Sequence, residues 1–362
     1  MQRRRLLRAM GLSAAALTAG CSGDADDGGG PTETGTPTPT PTATPTPTPE
    51  PLAYENPVFE PILADPTAIR TDDGTYYAYG TQDDWGDGEG SRIAPIVRSE
   101  NLVDWEYVGE AFEEKPDWKD GNVWAPAVTV VDGEWILYYS LSVWGDEDPG
   151  IGVATADSPE GPFTDHGELI RSSDIGVPNS IDPFYIEDGG TPYLFWGSFN
   201  GIYGIEIGAD RRSLAGEKFL IAGERYEGTY IEEVDGTYYF FGSSGSCCEG
   251  AFSTYRVEVG RSASLEGPYV NANGEDLRER PGEVVVDDGE AFHAPGHNSM
   301  VTDDAGQRWL LYHAYDTDQF WIRNTPRRPL CLDPITWDDG WPTVPGQSPS
   351  TSRESGPVVD TE

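Results

Sequence analysis

Asp65, Asp182 and Glu227 are three of 63 acidic residues in the chain, yet each stands at a set distance before a glycine turn. Asp65 lies nine residues before Gly74, Glu227 nine before Gly236 and Asp182 seven before Gly189. Trp124 and His297 fall nine before Gly133 and Gly306. Two carboxyl groups flanking a glycosidic bond are the minimum for its hydrolysis, one protonating the leaving oxygen and the other activating water or attacking. A third nearby carboxylate would raise the pKa of the acid by like-charge repulsion and help orient it. An indole such as Trp124 offers a flat apolar face to a sugar ring. Any one of these acids alone reads as a solvated turn residue; three at five matched positions read as a site.

The elements that must position them repeat. "DDGTYYAYGT" (72–81), "VDGEWILYYS" (131–140), "EDGGTPYLFWGS" (187–198), "VDGTYYFFGS" (234–243) and "DDAGQRWLLYHA" (303–314) are five aromatic strands, each entered through an Asp/Gly turn. Short alternating runs such as "IGVATADS" and "STYRVEVGRS" lie between them, with no helical periodicity of useful length. Repeats of this size with several strands each predict an all-β, five-bladed β-propeller. The first strand of every blade then lines the central axis, so the five matched positions converge at one mouth of the channel. Pro66, Pro126 and Pro183 agree with this, because an inner blade edge tolerates a missing N–H.

Four segments are expected. Residues 1–21 carry Arg3, Arg4 and Arg5, a short apolar stretch and a small-residue end at Cys21, and read as an export signal. Residues 22–52 are rich in alternating Thr-Pro, an extended spacer without ladder hydrogen bonds. Residues 53–350 form the propeller, and residues 351–362 an acidic flexible tail. The formal net charge is −40, which disfavours nucleic acid and anionic membrane surfaces as partners. An acidic, lysine-poor surface of this kind reads as that of a halophilic extracellular protein, which is expected to be a monomer. Cys247 and Cys248 either bond to each other or one of them bridges to Cys331. "DDWGDGEG" (83–90) lacks EF-hand spacing and reads as a solvated loop.

"ADPTAI", "VWAPAV", "NSIDPFYI", "YEGTYI", "CCEGAFSTYRVEVGRS" and "GHNSMVTDDAGQRWLLYHAYD" follow one another from about Asp65 to Val344. In these motifs and their order the chain resembles glycoside hydrolase family 43, and within it the arabinan endo-1,5-α-L-arabinanases. The resemblance implies an inverting hydrolase of α-1,5-linked arabinan, with Asp65 as general base, Glu227 as general acid and Asp182 tuning and orienting the acid. It also implies that His297 holds an axial metal ion, calcium by preference, or a water beneath the substrate, and that no organic cofactor is used. "LTAGC" resembles a lipobox, which would make Cys21 a lipidated anchor and the membrane a partner through that lipid alone. One departure is Ala127 in "WAPAV", where the family pattern has an acid.

Trp144 reads as a sugar platform in preference to a loop residue capping the core. Ser198 and Phe199 either line the cleft or simply follow their strand. Asn179 either binds a sugar hydroxyl or makes an Asx turn. His166 and His313 read as structural. Two competing functions stay in view: an exo-acting arabinofuranosidase or β-xylosidase of the same family, and a surface lipoprotein that binds glycan without cleaving it.

Overall fold

The computed structural model describes residues 52–359. The export signal, Cys21 and all but the last residue of the spacer lie outside the described residues. Five antiparallel sheets follow one another along the chain, and in each the strands pair in sequence order. Blade 1 comprises Thr67–Arg70, Tyr76–Tyr79, Pro95–Ser99 and Glu106–Glu110. Blade 2 comprises Asn122–Val131, Glu134–Ser142, Gly150–Ala156 and Thr164–Arg171. Blade 3 comprises Phe184–Asp188, Thr191–Trp196, Ile202–Glu206 and Phe219–Ala222. Blade 4 comprises Tyr226–Val234, Thr237–Ser244, Arg256–Ser262 and Glu283–Val286. Blade 5 has Phe292–Thr302, Arg308–Asp316 and Leu330–Pro334. The fold is the five-bladed propeller that the repeats predict, and each repeated aromatic segment supplies the second strand of a blade.

Among the described residues blade 5 has three strands, and the start of the domain bridges to the third of them. Val58 N–H donates to the Leu330 carbonyl at 2.9 Å, and Leu330 N–H donates back to Phe59 at 3.1 Å. This single bridge ties the segment that leads into blade 1 to the outer strand of blade 5. The aromatic residues of the repeats pack between sheets. Tyr138 of blade 2 stacks on Tyr185 of blade 3 at 5.9 Å, beside the fully buried Leu194 and Trp196. Each such side chain contributes about 1.5–3 kcal/mol by leaving water.

Residues 351–359 differ from the expected free tail. Glu354–Ser355 pairs antiparallel with Ala53–Tyr54, and Val358 N–H donates to Asp303 Oδ2 at 2.9 Å. Paired backbone groups hold this segment to the domain despite its acidic composition. The cysteines take the first of the two pairings considered: Cys247 is bonded to Cys248, and Cys331 is a buried free thiol in blade 5.

Candidate active site

Each blade kinks in, or just before, its inner strand. Asp65 (φ 54°), Ala125 (41°), Asp182 (60°), Gly228 (61°) and His297 (49°) all adopt the left-handed conformation. Four of them are not glycine, and such a backbone costs on the order of 1–3 kcal/mol unless its surroundings hold it. The surroundings are the ends of the repeated strands. Asp65 N–H donates to His313 Nδ1 (3.0 Å), Ala125 N–H to Thr81 Oγ1 (2.8 Å), Asp182 N–H to Ser140 Oγ (2.9 Å) and His297 N–H to Ser243 Oγ (2.7 Å). In each case the acceptor belongs to the preceding blade of the ring, and His313 closes the circle onto blade 1. In blades 2 and 4 the kink falls one residue later and the ladder register shifts, a bulge that leaves Trp124 and Glu227 facing the axis.

The junction between blades 3 and 4 departs from the pattern. Ser198, at the position of Thr81 and Ser140, donates its hydroxyl to Glu227 Oε2 at 2.7 Å instead of accepting a backbone N–H. The Gly228 N–H goes to Asp182 Oδ2 at 3.1 Å. Asn179 Nδ2 in turn donates to Ser198 Oγ at 2.9 Å. One hydroxyl of the ring is thus reassigned from holding backbone to holding a carboxyl.

A cleft of about 640 Å³ opens over these residues, and all nine residues singled out from the sequence line it. Trp124 is half-buried and Trp144 is 76% exposed; their rings lie 5.7 Å apart at 52°, forming one apolar wall. Phe199, 37% exposed, is fixed by its N–H to the Tyr226 carbonyl at 2.9 Å. The Cys247–Cys248 disulfide also lines the cleft.

The three carboxyls differ in charge state. Burial alone would push Asp65 up, but the Arg328 guanidinium, with His297, His313 and the Thr81 hydroxyl, holds it well below the usual carboxylate range. Arg328 Nη1 reaches Asp65 Oδ1 at 3.1 Å, and Thr81 Oγ1 donates to Asp65 Oδ2 at 2.6 Å. Glu227 is pushed up to about 7 by burial, partly offset by its Ser198 hydrogen bond and aided by the Asp65 charge. Asp182 is pushed up by burial and then by Glu227. The expectation that Asp182 raises Glu227 therefore changes order: burial comes first, and the strong like-charge effect falls on Asp182. A carboxyl held toward its ionised form and one held toward its protonated form share one cleft.

Sequence reasoning missed Arg328, Thr81 and Asp83. For Thr81 a signal was present, since the last position of the repeats reads Thr81, Ser140, Ser198 and Ser243, and His313 closes the same series. Asp83 corrects the reading of "DDWGDGEG" as wholly solvated. It lines the cleft with 14% side-chain exposure, 3.6 Å from Arg328 Nη2, and burial pushes it up to about 7.

Residues 54–342 match the family described as Glycosyl hydrolases family 43. The chain belongs to this family. The family member is 30% identical over 297 residues to an extracellular endo-α-(1→5)-L-arabinanase of Bacillus subtilis, covering 78% of this chain and 87% of that one. It is also 30% identical over 316 residues to an extracellular exo-α-(1→5)-L-arabinofuranosidase of Cellvibrio japonicus, covering 77% and 85%. Among solved structures it superposes on the Cellvibrio cellulosa α-L-arabinanase complexed with arabinohexaose with a TM-score of 0.68, at 29% identity over 78% of this chain and 95% of that one. Family membership makes the protein a glycoside hydrolase.

A calcium ion at His297 calls for six to eight oxygen ligands. Burial pushes His297 down, which favours the neutral imidazole that ligation requires, and its Nδ1 lies 3.5 Å from Asp65 Oδ1. Among the described residues, however, no group of three or more His, Cys, Asp or Glu side chains is placed to hold a metal. That donor set does not fit a protein-built calcium cage, and no catalytic step is derived through an ion.

Proposed function

We propose that the protein hydrolyses α-1,5-linked arabinan with inversion, acting within the chain. The observation that carries the reading is the opposed charge state of Asp65 and Glu227 in one aromatic-walled cleft. The arabinanase names of its relatives supply the sugar. Trp124 and Trp144 bind an arabinofuranose face. Asp65, already ionised, accepts a proton from the attacking water, and Glu227 delivers its proton to the leaving oxygen. Asp182 orients the acid through the Gly228 N–H. Similarity at equal identity to an exo-acting relative favours single-end release as the second reading. Product sizing on debranched arabinan tests both: mixed oligosaccharides early in the reaction support endo action, a single product size from the outset supports exo action, and binding without cleavage overturns the enzyme.

Inversion sets a geometric expectation. The carboxyls of Asp65 and Glu227 should stand roughly 6.5–9.5 Å apart, leaving room for water. Proton NMR of the first product formed should show the anomer opposite to that of the substrate; the retained anomer refutes the assignment.

Trp144→Ala removes an exposed stacking face worth about 0.5–1.5 kcal/mol, so KM for arabino-oligosaccharides should rise about twofold to tenfold. kcat should change far less, because the indole has no part in proton transfer. An unchanged KM would return Trp144 to the loop-residue reading. Export, anchoring through Cys21 and adaptation to salt belong to the same reading, supported by the arginine-led signal, "LTAGC" and the net charge of −40. Cys21→Ala should release the protein from the membrane fraction.

A further inference from the structure

Arg328 is nearly fully buried and faces two carboxyls, one within hydrogen-bond distance and one, Asp83, at ion-pair distance with no other partner for its Oδ2. Its Nη1 donates to Asp65 Oδ1 at 3.1 Å and lies 3.6 Å from Cys248 Sγ. Its Nη2 lies 3.6 Å from Asp83 Oδ2. Arginine and carboxylate ordinarily prefer the forked arrangement, with two parallel N–H···O bonds. Here the guanidinium touches Asp65 through one nitrogen and reaches Asp83 with the other arm. A carboxylate offers about four lone-pair positions. On Asp65 one is taken by Thr81 and one by Arg328, and a general base must keep another open for the proton it takes from water. A forked arginine would occupy that position and turn the carboxylate away from its water.

We propose that Asp83 is a positioning residue for the hydrolysis: it anchors the second arm of Arg328, so that Asp65 is held by one guanidinium nitrogen and keeps a lone pair for water. The proposal rests on Asp65 acting as the base, and it adds a carboxylate that touches neither water nor the reacting bond. Asp83 enters the cleft from the short ribbon Asp83–Asp84/Ser91–Arg92, which follows the second strand of blade 1. Arg328 comes from the segment leading into Leu330–Pro334 of blade 5. The pair therefore spans the ring closure, with Asp65 and Asp83 both on the blade 1 side and Arg328 on the blade 5 side.

Lysine is a point charge that cannot fork, and this makes the proposal testable by a double-mutant cycle. kcat and KM on an arabino-oligosaccharide are measured for wild type, Asp83→Ala, Arg328→Lys and the double variant, with thermal unfolding of each. Misplacement of a reacting group by about 1 Å costs on the order of 10²-fold. Asp83→Ala should accordingly lower kcat about tenfold to a hundredfold while KM stays within about twofold. In the Arg328→Lys background the same change should cost less than about threefold, because no fork can form. Added formate, which can occupy the vacated carboxylate position, should restore kcat to Asp83→Ala. Equal losses in both backgrounds, or a loss confined to KM, overturn the proposal; the latter would make Asp83 a sugar ligand. If Asp83→Ala unfolds, Asp83→Asn, which keeps the volume and removes the charge, is carried through the same cycle. Asp65→Asn in the same assay separates the two layers. Full activity there overturns the base assignment, whereas an inactive Asp65→Asn with additive Asp83 effects overturns only the role of Asp83.

Discussion

Glu227→Gln should hydrolyse native arabinan at least about 10²-fold more slowly than the wild type, since general acid catalysis contributes about 10²–10⁴-fold. Glutamine keeps the shape of the side chain and an oxygen for the Ser198 hydroxyl, but it has no proton to transfer. Binding of arabino-oligosaccharide, read by calorimetry, should survive, because the wall of Trp124 and Trp144 is untouched. A substrate with an activated leaving group needs little protonation and should recover much of the lost rate. The pH dependence follows from the same group. With Glu227 pushed up to about 7, the acid is protonated below that value and loses its proton above it. Wild-type kcat/KM on native substrate should therefore fall as pH rises through about 7, and that alkaline limb should be absent from Glu227→Gln on the activated substrate. Wild-type rates from the glutamine variant would remove Glu227 from its role.

Asp65→Asn should lose activity to a similar order, with one diagnostic difference: an activated leaving group should not rescue it. The amide cannot take a proton from water, whatever departs from the other side of the bond. The loss should persist at every pH tested, because the Arg328 guanidinium keeps the native carboxylate ionised well below the usual range. Stability should fall as well, since Thr81 and Arg328 donate to different oxygens of Asp65 and the amide nitrogen must face one of them while the buried guanidinium loses its counter-charge; the rates are therefore compared below the unfolding temperature of the variant. An asparagine variant that is rescued as well as Glu227→Gln would exchange the two roles or dissolve the distinction between them.

The repeated strands show how much could be read without a structure. The spacing from each turn glycine back to Asp65, Asp182, Glu227, Trp124 and His297 is local, set by strand length and the Asp/Gly turn, so it is legible in one dimension. Period-two alternation and the five turns carried the blade count for the same reason. The hydroxyl series Thr81, Ser140, Ser198 and Ser243, with His313 completing it, was equally present in the sequence. Its meaning depends on a neighbour in the next blade, and that neighbour appears only when the sheets are set side by side. "DDWGDGEG" shows the opposite case: its composition is that of a solvated loop, but one of its acids is turned into the cleft.

By itself, then, the sequence determined the propeller, the inner-strand positions and the residue types brought to the axis, because these follow from local turns and strand periodicity. Tertiary structure decided the charge states and the partners. Asp65 meets His313 and Arg328 across 248 and 263 residues of chain, contacts that exist only because the ring closes on itself. Burial raises Glu227 and Asp182 while a guanidinium from the last blade holds Asp65 down. Solvent exclusion and through-space charge are properties of the assembled cleft, and no spacing along the chain encodes them.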